Sequence, residues 1–369
     1  MKLGFGLMRL PRLENGTIDI EQVKTMVDLF IAAGGTYFDT AFVYEGSEEA
    51  TRESLVKRYP REKYTLATKL NARVAKGAED ARAQLLTSLE RTQAGYFDYY
   101  LLHALSGVSD NYRRYEQYGL WDFIREQKAA GKIRRIGFSF HGSPELLDEL
   151  LSAHPEVEFV QLQINYADWN NPRVQSRRCW EAARKHDKPV TIMEPVKGGT
   201  LADPPAFVKD ILTAANPSFS PAGWAIRYAA SLDGILVVLS GMSNIAQMKD
   251  NLSFMADFKP PDAQEQAVIA RAQEALDAVP SIPCTGCRYC VPGCPKSIPI
   301  PDIFSAMNRQ MIFGQLDEAR KNYAWETRSG AKASDCIQCG QCEAACPQQL
   351  GIIEYLKQCA AALELRRTD

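Results

Sequence analysis

Short β-rich runs alternate with longer amphipathic stretches from the start of this 369-residue chain to about residue 241. Eight such runs can be counted, at residues 3–8, 37–40, 64–70, 98–104, 133–140, 159–166, 190–195 and 235–241. A repeated strand–helix order is typical of a parallel sheet covered by helices, and a closed barrel needs eight strands. The pattern therefore predicts an α/β fold of the (β/α)8 TIM barrel type. A doubly wound open sheet is the alternative, because strand periodicity alone does not show closure.

The predicted helices between the strands cover residues 20–33, 78–94, 118–130, 144–153, 174–186 and 222–231. One more helix is predicted at 261–278, after the last strand, with apolar residues at helical spacing. The Pro-Ser-Ile-Pro segment at 280–283 ends it. We therefore place a domain boundary there, with a barrel at 1–279 and a second domain at 280–369.

Eight of the ten cysteines lie in two short clusters after residue 283, a distribution unlike the scattered pairs of a disulfide scaffold. Both clusters follow C-x2-C-x2-C-x3-C-P, which is the spacing of bacterial two-cluster ferredoxins. Three cysteines of each motif would bind one [4Fe–4S] cluster, and the one before proline would bind the other. The first predicted ligand set is Cys284, Cys287, Cys290 and Cys346, and the second is Cys336, Cys339, Cys342 and Cys294.

Zinc is the alternative for these motifs, since paired C-x2-C elements also bind it, but the third cysteine and the Cys-Pro are not needed for zinc. The intervening stretch at 302–322 looks helical, so we expect a mainly helical ferredoxin-type iron–sulfur domain. Cys179 and Cys359 lie on helix-like segments and are predicted to be ordinary buried side chains.

The charge pattern does not indicate a charged macromolecular partner. The formal net charge is -2, and basic and acidic residues are interspersed, so no broad field exists for nucleic acid or anionic lipid. No apolar run is long enough to span a bilayer, and the start of the chain has no signal-peptide pattern. We expect a cytoplasmic protein that binds neither nucleic acid nor membrane.

Three successive predicted strands end in polar residues that could meet at one rim of the barrel. These are Asp39, Lys69 and His103, and Tyr44 follows in the loop after Asp39. A tyrosine becomes a useful acid at neutral pH only when a cation stabilises its phenolate, and Lys69 is the natural cation. Asp39 would hold Lys69, and a neutral His103 could orient a substrate oxygen. Each residue also has a purely structural interpretation, as a helix cap, a solvent-facing lysine or a packed histidine.

At this point the sequence resembles the aldo-keto reductase family over roughly residues 1–255. The resemblance rests on six segments: 4–6 (GFG), 38–41 (FDTA) with Tyr44, 68–69 (TK), 101–103 (LLH), 136–139 (IGFS), and Pro195 with Gly198 and Gly199. It implies that Asp39, Tyr44, Lys69 and His103 are catalytic, with Tyr44 as the proton donor.

The resemblance also implies a bound NADP(H) or NAD(H). Its implied contacts are Ser139 and Gln163 at the carboxamide, Met193 on the nicotinamide face, and Gly241, Ser243, Asn244, Gln247 and Asn251 at the adenosine and phosphate end. Asn244 also fits a plain helix N-cap. Gln247 stands where many family members place an arginine for the 2′-phosphate, which leaves the preference between the two coenzymes open.

These observations predict an oxidoreductase that reduces an aldehyde or ketone, or oxidises the alcohol, with an added electron-transfer domain. A hydride moves two electrons together and a cluster moves one, so a bound flavin, a partner protein that carries one, or a substrate that accepts single electrons could bridge the two halves. The clusters could equally be structural or oxygen-sensing. A flavoprotein or a ferredoxin could serve as the electron-transfer partner. The alternative is a non-catalytic subunit that senses nicotinamide or docks in a redox complex.

Overall fold

The computed structural model describes residues 1–107, 111–286, 288–328, 330–346 and 348–364. By their contacts the residues divide into two compact units. The first contains residues 1–203 and 212–269, and the second contains residues 204–211 together with residues 270 onward. The domain boundary at residue 280 stays a prediction, and the two units are described separately below.

The first unit is built on eight parallel strands that close into a barrel. Each strand pairs with the next along the chain, and β1 pairs with β8, where Leu3 lies opposite Val238. The predicted barrel is confirmed, and the open doubly wound sheet was the wrong alternative. The strands are β1 Leu3–Gly6, β2 Tyr37–Asp39, β3 Thr65–Leu70, β4 Phe97–Leu105, β5 Ile133–Phe140, β6 Phe159–Gln163, β7 Val190–Met193 and β8 Ile235–Ser240.

Helices follow the strands, and short polar side chains start several of them. Asp19 accepts a hydrogen bond from the Gln22 N–H, and Ser143 and Ser220 cap two helices that have proline in their first turn. The helices are α1 Ile20–Ala32, α2 Ser47–Thr51, α3 Ala78–Thr92, α4 Asn111–Gln117, α5 Leu120–Ala129, α6 Pro144–Ala153, α7 Ser176–Lys185, α8 Ala206–Ala215, α9 Pro221–Ser231, α10 Ile245–Met255 and α11 Ala263–Asp277.

Six buried side chains on the strands pack together, and we call them the interior cluster. Side chains of a barrel strand point alternately to the axis and to the helices, so members of one cluster share a face. Residues two positions further along a strand lie on the same face, closer to the carboxyl end. The interior cluster consists of Tyr37, Ala67, Leu101, Phe159, Val237 and Leu239.

The second unit is mainly helical after residue 299, as predicted. The predicted single helical stretch at 302–322 is in fact two helices, because the chain turns at Gly314 with a φ of 67°, a left-handed conformation that glycine adopts without strain. The helices are α12 Ile300–Phe313, α13 Leu316–Glu326, α14 Gln341–Ala344 and α15 Ile352–Leu363. Across the described part of the chain, no helix is long and apolar enough to cross a membrane.

Candidate active site and cysteine cavities

The candidate residues of the barrel lie at the carboxyl ends of three adjacent strands. Asp39, Lys69 and His103 each follow a member of the interior cluster by two positions, so their side chains share its inward face. Tyr44 stands in a turn after β2, where its N–H donates to the carbonyl oxygen of Ala41 at 2.9 Å. The order of the strands therefore places all four residues at one rim.

Lys69 is fully buried and is held by two oxygen atoms. Its Nζ donates to Asp39 Oδ1 at 2.6 Å and to the carbonyl oxygen of Thr40 at 2.7 Å. Burying an ammonium group without partners costs several kcal/mol, by an order-of-magnitude estimate, so these contacts are what keep the charge in place. The arrangement fixes a cation at the mouth of the barrel.

The cation lies directly beside the phenol ring. The Nζ atom of Lys69 is 4.9 Å from the centroid of the Tyr44 ring. The ring of His103 approaches the same tyrosine from another side, with centroids 5.8 Å apart and planes at 81°. The structure thus brings the four predicted residues together.

The environment sets a protonation state for each group. Burial raises the pKa of Tyr44, and the charge of Lys69 offsets part of that rise. Burial is the largest single effect on Lys69 and lowers its pKa, but the attraction and hydrogen bonding to Asp39 and Tyr44 together outweigh burial, so the net pKa is raised. Burial raises the pKa of Asp39, against the opposing effect of Lys69. Burial and then Lys69 lower the pKa of His103 well below its usual range, so the imidazole is neutral.

His103 is fixed through the backbone around it. The hydroxyl of Tyr115 donates to the His103 carbonyl oxygen at 2.5 Å. The next residue, Ala104, has a φ of 59°, and its N–H donates to Ser139 Oγ at 2.7 Å while its carbonyl oxygen accepts from Asn111 Nδ2 at 2.8 Å. His103 Nδ1 itself is buried and has no hydrogen-bond partner among the described residues.

Sequence reasoning missed two of these supporting residues. Asn111 and Tyr115 belong to α4, for which no helix was predicted. Tyrosines at 112, 115 and 118 follow one another at helical spacing, and that signal could have indicated a packed helix here. The segment 108–110 before it lies outside the described residues.

The three residues expected near the nicotinamide ring lie at the ends of β5, β6 and β7. Ser139 accepts the Ala104 N–H, which leaves its own hydroxyl hydrogen available to a ligand. Gln163 lies opposite Met193 in the register of β6 and β7, and its Nε2 donates to Asp168 at 3.3 Å. Asp168 also binds Lys197 Nζ at 2.5 Å, an ion pair that sequence reasoning did not single out.

The residues expected at the phosphate end lie after β8. Asn244 caps α10, where its Oδ1 accepts the Gln247 N–H at 2.9 Å, and Gln247 Oε1 accepts the Ser243 N–H at 2.7 Å. Gly241 follows the end of β8. Asn251 is 4% exposed, and its Nδ2 donates to Ser240 Oγ at 2.7 Å. The Asn251 amide therefore points at the strand end in this structure.

The cysteines of the second unit line two separate cavities. The first cavity is lined by Cys284, Cys290 and Cys346, and the second by Cys336, Cys339, Cys342 and Cys294. Each cavity therefore combines cysteines of one motif with the Cys-Pro cysteine of the other. Such thiol sets are the ligands that cubane clusters use, so the residues fit the group.

Further side chains complete the walls of the cavities. Arg288 lines the first cavity and is paired with Asp302 at 2.7 Å, and Ile337 lines the second. Cys287 and Pro347 lie outside the described residues. Within the described ranges, no three His, Cys, Asp or Glu side chains are grouped closely enough to hold a single metal ion. Cys179 and Cys359 are buried apart from both cavities.

A closed eight-stranded barrel with a lysine–tyrosine–histidine–aspartate group at its carboxyl rim defines the class of a (β/α)8-barrel oxidoreductase. The family model described as "Aldo/keto reductase family" matches residues 2–273, and a model described as "4Fe-4S dicluster domain" matches residues 283–350. The chain belongs to the aldo/keto reductase family and carries a 4Fe–4S dicluster domain after the barrel.

Similar curated proteins point the same way at low identity. A probable aldo-keto reductase 1 from Glycine max is 28% identical over 177 residues, which are 46% of this chain and 48% of that protein. An aldo-keto reductase from Mycolicibacterium vanbaalenii is 28% identical over 239 residues, covering 64% and 79% of the two chains. The chain thus spans about half the length of the first of these relatives.

Solved structures share the barrel fold. The holo form of aldo-keto reductase AKR11C1 from Bacillus halodurans superposes with a TM-score of 0.58 at 24% identity, over 73% of this chain and 91% of that one. An aldo/keto reductase from Klebsiella pneumoniae, solved in complex with NADP and acetate, gives 0.60 at 22% identity, over 73% and 90%.

Proposed function

We propose that the barrel reduces an aldehyde or ketone, or oxidises the corresponding alcohol, with NADP(H) or NAD(H) as coenzyme. One observation carries this proposal: a fully buried ammonium group, Lys69, lies 4.9 Å from the centroid of the Tyr44 phenol ring at the carboxyl rim. A protein that needed only to bind a nucleotide would have no use for a buried cation beside a phenol. The function rests on that pair and on its neighbours Asp39 and His103.

Each of the four residues has a separate role at the substrate carbonyl group. When bound, the reduced nicotinamide supplies a hydride to the carbonyl carbon. Tyr44 donates the proton from its Oη to the carbonyl oxygen, and Lys69 stabilises the phenolate left behind. Asp39 holds Lys69, and neutral His103 orients the substrate oxygen through a ring nitrogen. In the oxidation direction Tyr44 accepts the proton from the alcohol.

The coenzyme proposal is supported by residues at the end of β5 and after β8. Ser139 has a hydroxyl hydrogen to donate, and the first turn of α10 provides backbone N–H groups suited to a phosphate. The similar Klebsiella pneumoniae protein was solved with NADP. In this chain the Ser243 N–H is taken by Gln247, so a phosphate there would have to displace that side chain.

For the second unit we propose two [4Fe–4S] clusters, one in each cysteine cavity. Cys284, Cys287, Cys290 and Cys346 would hold one, and Cys336, Cys339, Cys342 and Cys294 the other, the described members of each set lining one cavity. When bound, each cluster supplies or accepts one electron at a time. Because each cluster exchanges single electrons, we expect a flavoprotein or a ferredoxin to be its electron-transfer partner.

Replacing Tyr44 with Phe tests the catalytic proposal. We expect turnover of carbonyl substrates to fall roughly 10²- to 10⁴-fold, because the general acid is lost while the ring remains. Nicotinamide binding, followed by fluorescence titration, should persist. Tyr59→Phe is the matched control, since its hydroxyl bonds Asp28 between outer segments of the barrel. Unchanged turnover in Tyr44→Phe would reject the assigned acid. A native protein that binds nicotinamide but turns over no carbonyl substrate would leave nicotinamide sensing as the function.

A further inference from the structure

The two cysteine cavities of the second unit differ in how far the residues of their walls are exposed to solvent. In the second cavity Cys339 is exposed, and Ile337, close to it in the chain, is 56% exposed. In the first cavity the described cysteines, Cys284, Cys290 and Cys346, are buried or half-buried. A cluster in the second cavity would therefore have one of its ligands at the protein surface.

Apart from the cysteines, the described wall of each cavity contains one ionisable side chain. In the first cavity this is Arg288, whose Nη2 donates to both carboxylate oxygens of Asp302, at 2.8 and 2.7 Å. In the second cavity it is Lys296, which is exposed and has no ion-pair partner among the described residues. The charge of Arg288 is thus offset within the chain, whereas the charge of Lys296 is left to attract negative groups from solution.

An exposed apolar side chain accompanies this cation. Among the described residues after 270, the large hydrophobic side chains with the greatest exposure are those of Tyr289, Trp325 and Ile337. Of these three, Ile337 is the one that lines a cavity, and it lines the same cavity as Lys296. Protein contact surfaces commonly combine an apolar centre with a charged or polar rim. The second cavity therefore has both components beside an exposed thiol.

The two cavities also have a wall in common. Ile300, the first residue of α12, is 1% exposed and lines both of them. Because the rate of electron transfer falls steeply with distance, two clusters separated by one side chain can exchange electrons with each other. A single exposed entry would thus serve both clusters.

We propose that the second unit exchanges electrons with its surroundings at the second cavity, where Lys296 and Ile337 form the contact surface for an acidic one-electron carrier protein. This rests on the two proposed clusters. The carrier loses one electron and a cluster gains it, so no atom or proton has to be transferred. Carboxylates of the carrier pair with Lys296, its apolar atoms cover Ile337, and the exposed Cys339 provides a short path to the cluster.

Two substitutions that change the net charge by the same amount test which cavity is the entry. Lys296→Gln removes a positive charge at the second cavity, and Gln348→Glu adds a negative charge at an exposed residue of the first. The full chain, loaded with iron, is mixed anaerobically with flavodoxin hydroquinone, an acidic one-electron donor, and cluster absorbance is followed by stopped flow. At low ionic strength we expect Lys296→Gln to lower the second-order rate constant at least about threefold and Gln348→Glu to stay within about twofold of native, because a charge at a contact acts mainly on association.

Salt and a second pair of variants separate the contact from the redox properties of the cluster. Removing a charge near a cluster also changes its reduction potential, an effect that salt does not abolish. At about 0.5 M salt, where exposed charges are screened, Lys296→Gln should react at the native rate. Ile337→Ser should remain at least about threefold slow at both salt concentrations, because an apolar contact is not screened. Leu86→Ser, at an exposed leucine of α3, is its control and should react at the native rate.

The outcomes distinguish the entry, the contact and the clusters themselves. Iron content and reduction by dithionite are measured for every variant and should equal those of the native protein. If Gln348→Glu slows the reaction as much as Lys296→Gln, or if Lys296→Gln reacts at the native rate at low salt, the second cavity is not the entry. Slowing by Lys296→Gln that persists at high salt would overturn the contact with an acidic carrier. A native protein that contains no iron, or that dithionite does not reduce, would instead overturn the proposed clusters.

Discussion

The two candidate sites of this chain are encoded in different ways. At the barrel rim, Asp39, Lys69 and His103 come from three separate strands and meet only because the sheet closes in chain order. In the second unit, most lining cysteines of each cavity come from one short motif, and only the Cys-Pro cysteine comes from the other. The residues of the rim therefore come together through the strand order of the barrel. The cysteines of each cavity come together through the spacing within one motif, plus one cysteine from the other motif.

This difference decides how each site should respond to damage. A residue of the rim is connected to its neighbours by contacts such as the 2.6 Å bond between Lys69 and Asp39, so one substitution changes the electrostatics of the whole group. A cavity is a set of equivalent thiols, so one substitution removes a ligand from one cavity. The cysteine before proline is the exception, because it belongs to one motif but lines the cavity of the other.

The largest effect is expected at the rim, from Lys69→Met. Losing the cation removes the stabilisation of the Tyr44 phenolate, so carbonyl reduction should fall roughly 10²- to 10⁴-fold. Since Lys69 lowers the pKa of Tyr44, its loss should also move the high-pH decline of the reduction rate to higher pH. Steady-state rates as a function of pH check both results.

The control addresses the buried carboxylate that this variant leaves behind. Removing one partner of a buried pair destabilises a protein by about 3–5 kcal/mol, so the double variant Asp39→Asn/Lys69→Met is prepared in parallel. It should recover thermal stability without recovering the rate. If the folded double variant reduces carbonyls at the native rate, the rim does not work as a coupled group.

The second prediction tests the exchange between the motifs by iron content. Cys284→Ser and Cys346→Ser should each lose about four of about eight irons, and the double variant should lose no more than either, because both residues line one cavity. Cys294→Ser combined with Cys346→Ser should lose all iron. Iron analysis and electron paramagnetic resonance after anaerobic purification measure the outcome.

Cys359→Ala is the control for this series, since Cys359 is buried apart from both cavities and should not change the iron content. The exchange would be refuted if Cys346→Ser combined with Cys336→Ser lost only one cluster, because that pattern assigns each motif its own cluster. A native protein without iron would refute the cluster proposal altogether.

The contrast between local spacing and contacts distant in sequence also explains how much of each region could be predicted from the sequence. The strand at 133–140 was predicted to the residue, because a glycine stands two positions outside each of its ends. The helix predicted at 302–322 was wrong in its continuity, since the pattern did not show that Gly314 takes a left-handed conformation. The contact between Tyr115 and the His103 carbonyl oxygen was out of reach, because it joins a side chain to a backbone atom through an unpredicted helix.

The smallest effect is expected from the support of His103, a positioning role that belongs to the rim alone. Tyr115→Phe removes a hydrogen bond worth about 1 kcal/mol to the strand that carries His103, so we expect kcat to fall by about three- to tenfold with little change in KM for the coenzyme. Tyr112→Phe is the matched control on the same helix, where the hydroxyl accepts only from Arg113 among the described contacts. A purely structural role would lower the melting temperature of Tyr115→Phe but leave kcat at 25 °C equal to that of Tyr112→Phe, because a folded rim would then hold His103 without the tyrosine hydroxyl.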